Sequence, residues 1–160
     1  MDHDAKKDTD VLRRFSWEII SIGAYQEELR HFWARTLGVS GPQWMIVVAL
    51  SDFDQGEGVP VNVVSKMLHV DPSFVTTQSK LLEKRGFIRR KPSIEDARVV
   101  KMSLTDKTYK HLASLASQQK TLNEFILAEF SDRELANLTD NLASLKRRFE
   151  KACFKVVVDF

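Results

Sequence analysis

The sequence predicts a mainly α fold with one small β-hairpin, in which a helical body carries a compact helix–turn–helix–hairpin unit. Three observations predict it. Apolar residues recur at helical spacing over three long stretches of the 160 residues. Between Val61 and Thr105 the chain runs through a short amphipathic segment, a capped helix closed at Gly86 and two β-type runs joined by Lys91 to Arg98. Positive charge gathers in that same segment: residues 62–102 hold nine Lys/Arg against four Asp/Glu, although the net charge of the chain is only +2.

From Asp8 to about Thr36, Leu12, Phe15, Ile19, Ile22, Leu29, Phe32 and Trp33 follow helical period with no proline between them, so one long helix is expected, stopped by Gly38. Ser40 and Gln43 form a capping-box pattern that opens a second helix to about Ser51, apolar almost all round and therefore buried. Asp52 to Gly58 is a polar loop, since its glycines do not match a calcium loop. Val59-Pro60-Val61 is a short extended piece. Asn62 to Leu68 places Val63, Val64, Met67 and Leu68 on one face. Asp71 caps the next helix with Pro72 at its first position. Phe87–Arg90 and Val99–Leu104 make the hairpin. Thr105-Asp106 starts a long helix to about Phe130, and the Ser131–Glu134 capping box opens the last one, with Leu135, Leu138, Leu142, Leu145 and Phe149 at helical spacing. Phe154 to Phe160 is an apolar tail expected to dock on a second subunit, with a frayed end as the alternative.

On the capped helix Val75, Ser79 and Leu82 share one stripe, with Gln78 and Leu81 at its edges, and Ser73, Thr76, Thr77, Lys80 and Lys84 share the opposite one. Small hydroxyls permit close approach and polar contact, and lysines neutralise phosphates. The hairpin carries Arg89, Arg90, Lys91, Arg98 and Lys101 against Glu95 and Asp96. An arginine at a narrow tip can enter a minor groove, and Asp96 is placed to hold the root of Arg98. Helix, turn, helix and basic wing is the layout of a winged helix-turn-helix DNA reader on a helical dimerisation body. The expected nucleic-acid contacts are Ser73, Phe74, Thr76, Thr77, Lys80, Lys84, Arg89, Arg90, Asp96 and Arg98. The domain reading is 8–52 and 106–153 for the helical dimerisation region, 53–105 for the DNA-binding region and 154–160 for the tail.

Other classes find little support. His3, His31, His69 and His111 lack zinc-ligand spacing, and there is neither a phosphate-loop glycine pattern nor a nucleophile elbow, so no enzyme, metal or cofactor is expected. The longest apolar run, Trp44 to Leu50, is far short of the ~20 residues of a membrane span, and the polar start has no signal-peptide core. The single Cys153 fits a reducing compartment, and a cytoplasmic protein is expected. The alternative to DNA reading is a winged-helix protein-interaction module without specific DNA binding.

Gly38-Val39-Ser40-Gly41-Pro42-Gln43-Trp44, Leu82 to Arg90, and Asp96-Ala97-Arg98 followed by Leu104-Thr105 resemble the MarR family of bacterial transcription regulators. The resemblance reaches from about Asp10 to Phe149; Gln78 and Ser79 stand where that family usually has aliphatic residues. It implies a homodimer with first and last helices interlocked, a recognition helix around Ser73 to Lys80 and Arg98 as the wing-tip arginine. It also implies a repressor released by a small aromatic carboxylate or phenol bound between body and winged unit. Trp17, His31, Arg35, Trp44 and His111 are the candidates for that effector site: tryptophan faces would stack on a ring, and Arg or His would pair with a carboxylate.

Overall fold

The computed structural model describes residues 2–159, with side chains described from Asp10 to Val157. Six helices and three strands follow in the order α1 (Asp2–Leu37), α2 (Gly41–Phe53), β1 (Val59–Pro60), α3 (Val61–Leu68), α4 (Pro72–Lys84), β2 (Ile88–Pro92), β3 (Val100–Leu104), α5 (Asp106–Leu127) and α6 (Asp132–Asp159). The chain divides into two compact units, Met1–Ala113 and Ser114–Phe160, with the boundary inside α5.

In the first unit, α1 begins at Asp2, six residues before the expected start. No breaker precedes Asp8, and acidic residues suit a helix N-terminus. Gly38 ends α1 at φ 71°, a left-handed conformation that suits a residue without Cβ. The predicted capping box is formed: Ser40 Oγ accepts from the Gln43 amide at 3.3 Å, and the Ser40 amide donates to Gln43 Oε1 at 3.2 Å. The helix it opens is the centre of the core. Trp44, Ile46, Val47, Ala49 and Leu50 are buried, and Leu50 alone contributes about 1.5–3 kcal/mol by leaving water. Val64, Val75, Leu82, Ile88, Met102 and Leu104 add the buried side chains of the other elements.

The loop after α2 is held by one carboxylate: Asp54 Oδ1 accepts from the amides of Gly56 and Gly58, both at 2.8 Å. No metal-binding cluster occurs among the described residues. The extended piece after the loop pairs, which the sequence reading did not foresee. β1 lies antiparallel to β3, with Val59 opposite Met102, so the sheet has three strands in the order β1-β3-β2. Gly58 (φ 73°) allows this approach: a Cβ there would lie 3.2 Å from both Lys101 Cβ and the Met102 carbonyl oxygen.

The face expected on α3 holds only in part. Val64 and Ser65 are buried and Met67 and Leu68 half-buried, but Val63 is exposed. The turn to α4 passes through His69 at φ 52°. Asp71 caps α4 as predicted, accepting from the Ser73 amide at 2.7 Å, and Pro72 follows it. Gly86 (φ 76°) closes the helix, with the Phe87 amide donating to the Leu82 carbonyl at 3.0 Å. The first turn of α5 is fixed to that exit, since Thr108 Oγ1 donates to the Phe87 carbonyl at 2.7 Å and Thr105 Oγ1 to that of Gly86 at 2.9 Å.

In the second unit, α5 ends at Leu127 rather than near Phe130. The Ala128 and Phe130 amides turn back to the Phe125 and Leu127 carbonyls, a tightening that frees Ser131 to cap the next helix. Ser131 and Glu134 complete their capping box: the Ser131 amide donates to Glu134 Oε2 at 2.9 Å. These bonds, the hydroxyl first and then the amide, hold the Glu134 carboxyl below its ordinary pKa. The segment read as a separate tail is helical. With no proline or glycine after Phe149, α6 continues to Asp159; Phe160 and the side chains of 158–160 lie outside the described residues.

Candidate nucleic-acid interface

The recognition face begins with the period of α4. Val75, Ser79 and Leu82 are fully buried, which turns Ser73, Phe74, Thr77, Lys80 and Lys84 to solvent and leaves Thr76 half-buried. Ser79 takes an aliphatic position because its hydroxyl is met inside the helix, donating to the Thr76 carbonyl at 3.0 Å. Gln78 is met from outside it: Gln43 Nε2 donates to Gln78 Oε1 at 3.1 Å, joining α2 to α4. Thr77 Oγ1 donates to the Ser73 carbonyl at 3.0 Å, so its methyl group and acceptor lone pairs remain outward. Ser73 bonds to Asp71, and the Ser73 hydroxyl, then its amide, lower the Asp71 pKa.

The wing is a locked loop. The Ser93 amide donates to the Val99 carbonyl at 2.7 Å and the Val99 amide to that of Asp96 at 2.9 Å. Asp96 Oδ1 accepts from the Arg98 amide at 2.9 Å and lies 3.5 Å from Arg98 Nε. The Arg98 side chain is 95% exposed. Asp96 was expected both among the DNA contacts and as the root of Arg98; its geometry is that of the root, since its oxygen is engaged by Arg98.

Strand parity separates the two arginines expected together on β2. Ile88 faces the core, so Arg89 faces out, with Nη2 3.8 Å from Asp106 Oδ1. Arg90 turns in and its side chain is only 12% exposed. It is therefore not the open surface cation that the hairpin composition suggested. Its Nη1 lies 4.0 Å from Glu83 Oε2, and its amide donates to Glu83 Oε1 at 2.9 Å. Glu83 was missed by the sequence reading, because a helix–strand pair of this kind has no fixed spacing. Arg90 is among the residues that line a cleft of about 330 Å³ between α4 and the wing.

The five residues expected at an effector site are not brought into one cleft. Trp44 is enclosed in the core, because α2 is buried on nearly every side. Trp17 is exposed on α1, about 21 Å along the axis from His31 at 1.5 Å per residue. His31 lies 3.4 Å from Glu27 Oε1 and packs against Gly41, whereas His111 faces Thr36 Oγ1 at 3.4 Å. Arg35 is exposed. A different groove, of about 400 Å³, touches the start of α4 and is lined by Arg30, Met45, Ile46, Leu68, Val70 and Phe74 among others.

The comparisons with known proteins place these features. Residues 40–100, from the cap of α2 to the first residue of β3, match the MarR family model. Through this segment the chain is similar to the MarR family. The chain is also similar to an uncharacterised HTH-type transcriptional regulator of Bacillus subtilis (strain 168), YdgJ, at 29% identity over 83 residues. That alignment takes in 52% of this chain and 51% of the relative, so the chain matches about half the length of that regulator. Solved structures share the fold over most of the chain. A MarR/EmrR regulator of Acinetobacter sp. ADP1 superposes at a TM-score of 0.72 and 20% identity, covering 88% of this chain and 98% of its own. FabT of Streptococcus pneumoniae, solved in complex with DNA, gives 0.66 and 25% over 88% and 99%. MepR of S. aureus, also solved with DNA, gives 0.70 and 18% over 84% and 97%. The Bacillus and Acinetobacter relatives are transcriptional regulators by name. Among the described residues no helix is long and apolar enough to cross a membrane.

Proposed function

We propose that this protein is a transcriptional regulator of the repressor type that binds palindromic duplex DNA as a homodimer. The observation that supports it best is the shared exposure of the Ser73–Lys84 face of α4 and of Arg98 on a locked wing, in one compact unit. A helix of that width fits a major groove, and a single extended guanidinium fits the narrower groove beside it. The contacts proposed are Ser73, Phe74, Thr76, Thr77, Lys80 and Lys84 on the helix, and Arg89 and Arg98 on the hairpin, with Asp96 orienting Arg98. DNA-bound FabT and MepR are precedents within the same fold.

The dimer rests on exposed apolar stripes, with Phe15, Ile19 and Ile22 on α1 and Leu138, Leu142 and Phe149 on α6. Covering such stripes with a second copy would remove them from water and set two recognition helices about 34 Å apart, one duplex turn. Release by a small aromatic acid belongs to the same reading. A ligand seated beside α4 would shift the population toward a spacing that no longer fits the duplex. Tryptophan-fluorescence titration with a panel of aromatic acids tests that part, and the absence of any response removes it.

The test of the main reading is binding of the full chain to a random-sequence duplex library at increasing salt. A regulator of this kind enriches a palindrome, and its affinity falls steeply as salt rises. Failure to retain any duplex at low salt rejects the proposal in favour of a protein-interaction module.

A further inference from the structure

We propose that the cleft between α4 and the wing seats one phosphate of the DNA backbone, with the Arg90 guanidinium as its cationic partner; the inference rests on the DNA-binding reading above. Asn62, Pro72, Thr76, Arg90, Arg98 and Val100 line this cleft. The argument starts from an unmet donor. A guanidinium carries five N–H groups in a planar fork. Arg90 has one long ion pair, 4.0 Å to Glu83, its Nε is buried without a hydrogen-bond partner among the described residues, and the 12% of its side chain that stays exposed lies where Arg90 lines the cleft. A cation so placed calls for a further anion, and a planar fork matches the oxygens of a phosphate.

Topology then selects the source of that phosphate. The outer face of α4 and the tip of the wing stand on either side of the cleft. If one enters a major groove and the other the adjacent minor groove, the strand that separates those grooves must cross the cleft between them. The surrounding chemistry suits a backbone: Thr76 and Asn62 offer polar groups for oxygens, while Pro72, Val99 and Val100 offer apolar surface for a deoxyribose. Glu83 acts as a positioning residue, because it holds both the amide and the guanidinium of Arg90. Arg90 thus sets the depth at which the strand rides, while Arg98 reaches past it into the groove.

The test uses the full chain and a duplex that it enriches from a random library, resynthesised with single methylphosphonate linkages, each of which removes one backbone charge. In the wild type, one linkage per half-site, between the footprints of α4 and the wing, should raise Kd roughly tenfold. Arg90→Gln should raise Kd on the unmodified duplex by a similar factor and become indifferent to that linkage alone. Arg98→Ala should remain sensitive to it. Arg90→Met, which fills the space without charge, serves if the glutamine variant fails to fold. A wild-type scan with no costly linkage between the two footprints overturns the inference, as does a variant that keeps the full penalty there. Competition by inorganic phosphate beyond that of chloride at equal ionic strength, lost in Arg90→Gln, would assign the cleft to a free anion and also overturn it. If no duplex is enriched, the DNA reading itself fails; if a duplex binds but the scan is flat, only the seat for the strand fails.

Discussion

Arg98 and Arg90 carry the same charge eight positions apart, yet the backbone gives them opposite surroundings. Arg98 leaves a loop tied by Ser93, Asp96 and Val99, so its side chain reaches solvent from a fixed base. Replacing it with alanine should weaken binding to an enriched duplex by roughly tenfold or more, measured as Kd by fluorescence anisotropy. Unchanged Kd would remove the wing from the mechanism. Lys80 sits on the open face of α4 and should act as a phosphate partner. Lys80→Ala should therefore weaken all duplexes alike and flatten the log–log salt slope by about one unit. Asp71 bears on stability instead. Because its pKa is lowered in the folded chain, the folded state favours the ionised form more than the unfolded chain does. That contribution is complete above the ordinary carboxylate range and disappears as pH falls through the lowered value. Asp71→Ala should melt at a lower temperature near neutrality and lose less on acidification than wild type, a difference that calorimetric melts over an acid series would reveal. The Asp96–Arg98 pair was legible in the sequence because its partners are two residues apart. The inward turn of Arg90 was not, since it depends on the register that sets Ile88 opposite Leu104.

Capped helix starts were the most legible elements, because each rests on chemistry within four residues. Ser40 with Gln43, Asp71 with Pro72, and Ser131 with Glu134 all cap where the residues indicated. Pairing between distant segments was less so. β1 is two residues long and contains a proline, and nothing in Val59-Pro60 alone announces a neighbour at Met102. The end of α6 was misplaced for the opposite reason: apolar residues at a terminus were read as a separate tail, but an unbroken helix continues where no residue stops it. The Gln43–Gln78 bond is a third case, in which two polar residues that look misplaced on apolar helix faces satisfy each other. A double-mutant cycle of Gln43→Ala and Gln78→Ala in urea melts should give a coupling energy of about 1 kcal/mol, typical of a partly buried hydrogen bond. Additive single effects would show that the two amides are independent. Because the bond spans α2 and α4, losing it should also loosen the recognition helix.

At the scale of the molecule, amphipathic period forecast how many helices there are and which faces are apolar, but not what covers those faces. Phe15, Ile19 and Ile22 on α1 and Leu138 and Leu142 on α6 remain open in the single chain. Sedimentation equilibrium should therefore return twice the chain mass of 18.4 kDa at micromolar concentration. A Leu142→Lys change should shift the population toward monomer and cut affinity for a full palindrome more than for a half-site. A sedimenting wild-type monomer would leave each winged unit to bind alone. The effector candidates show the same limit on a larger scale: aromatic and cationic side chains were visible, but their grouping depends on packing that put Trp44 inside and Trp17 far along α1. The bare Cα of Gly58 has a mechanical corollary. Adding a single methyl group there would strain a left-handed backbone and press on Lys101 and Met102 at the root of the hairpin. A lesion silent for charge would then reach DNA binding only through the footing of the wing.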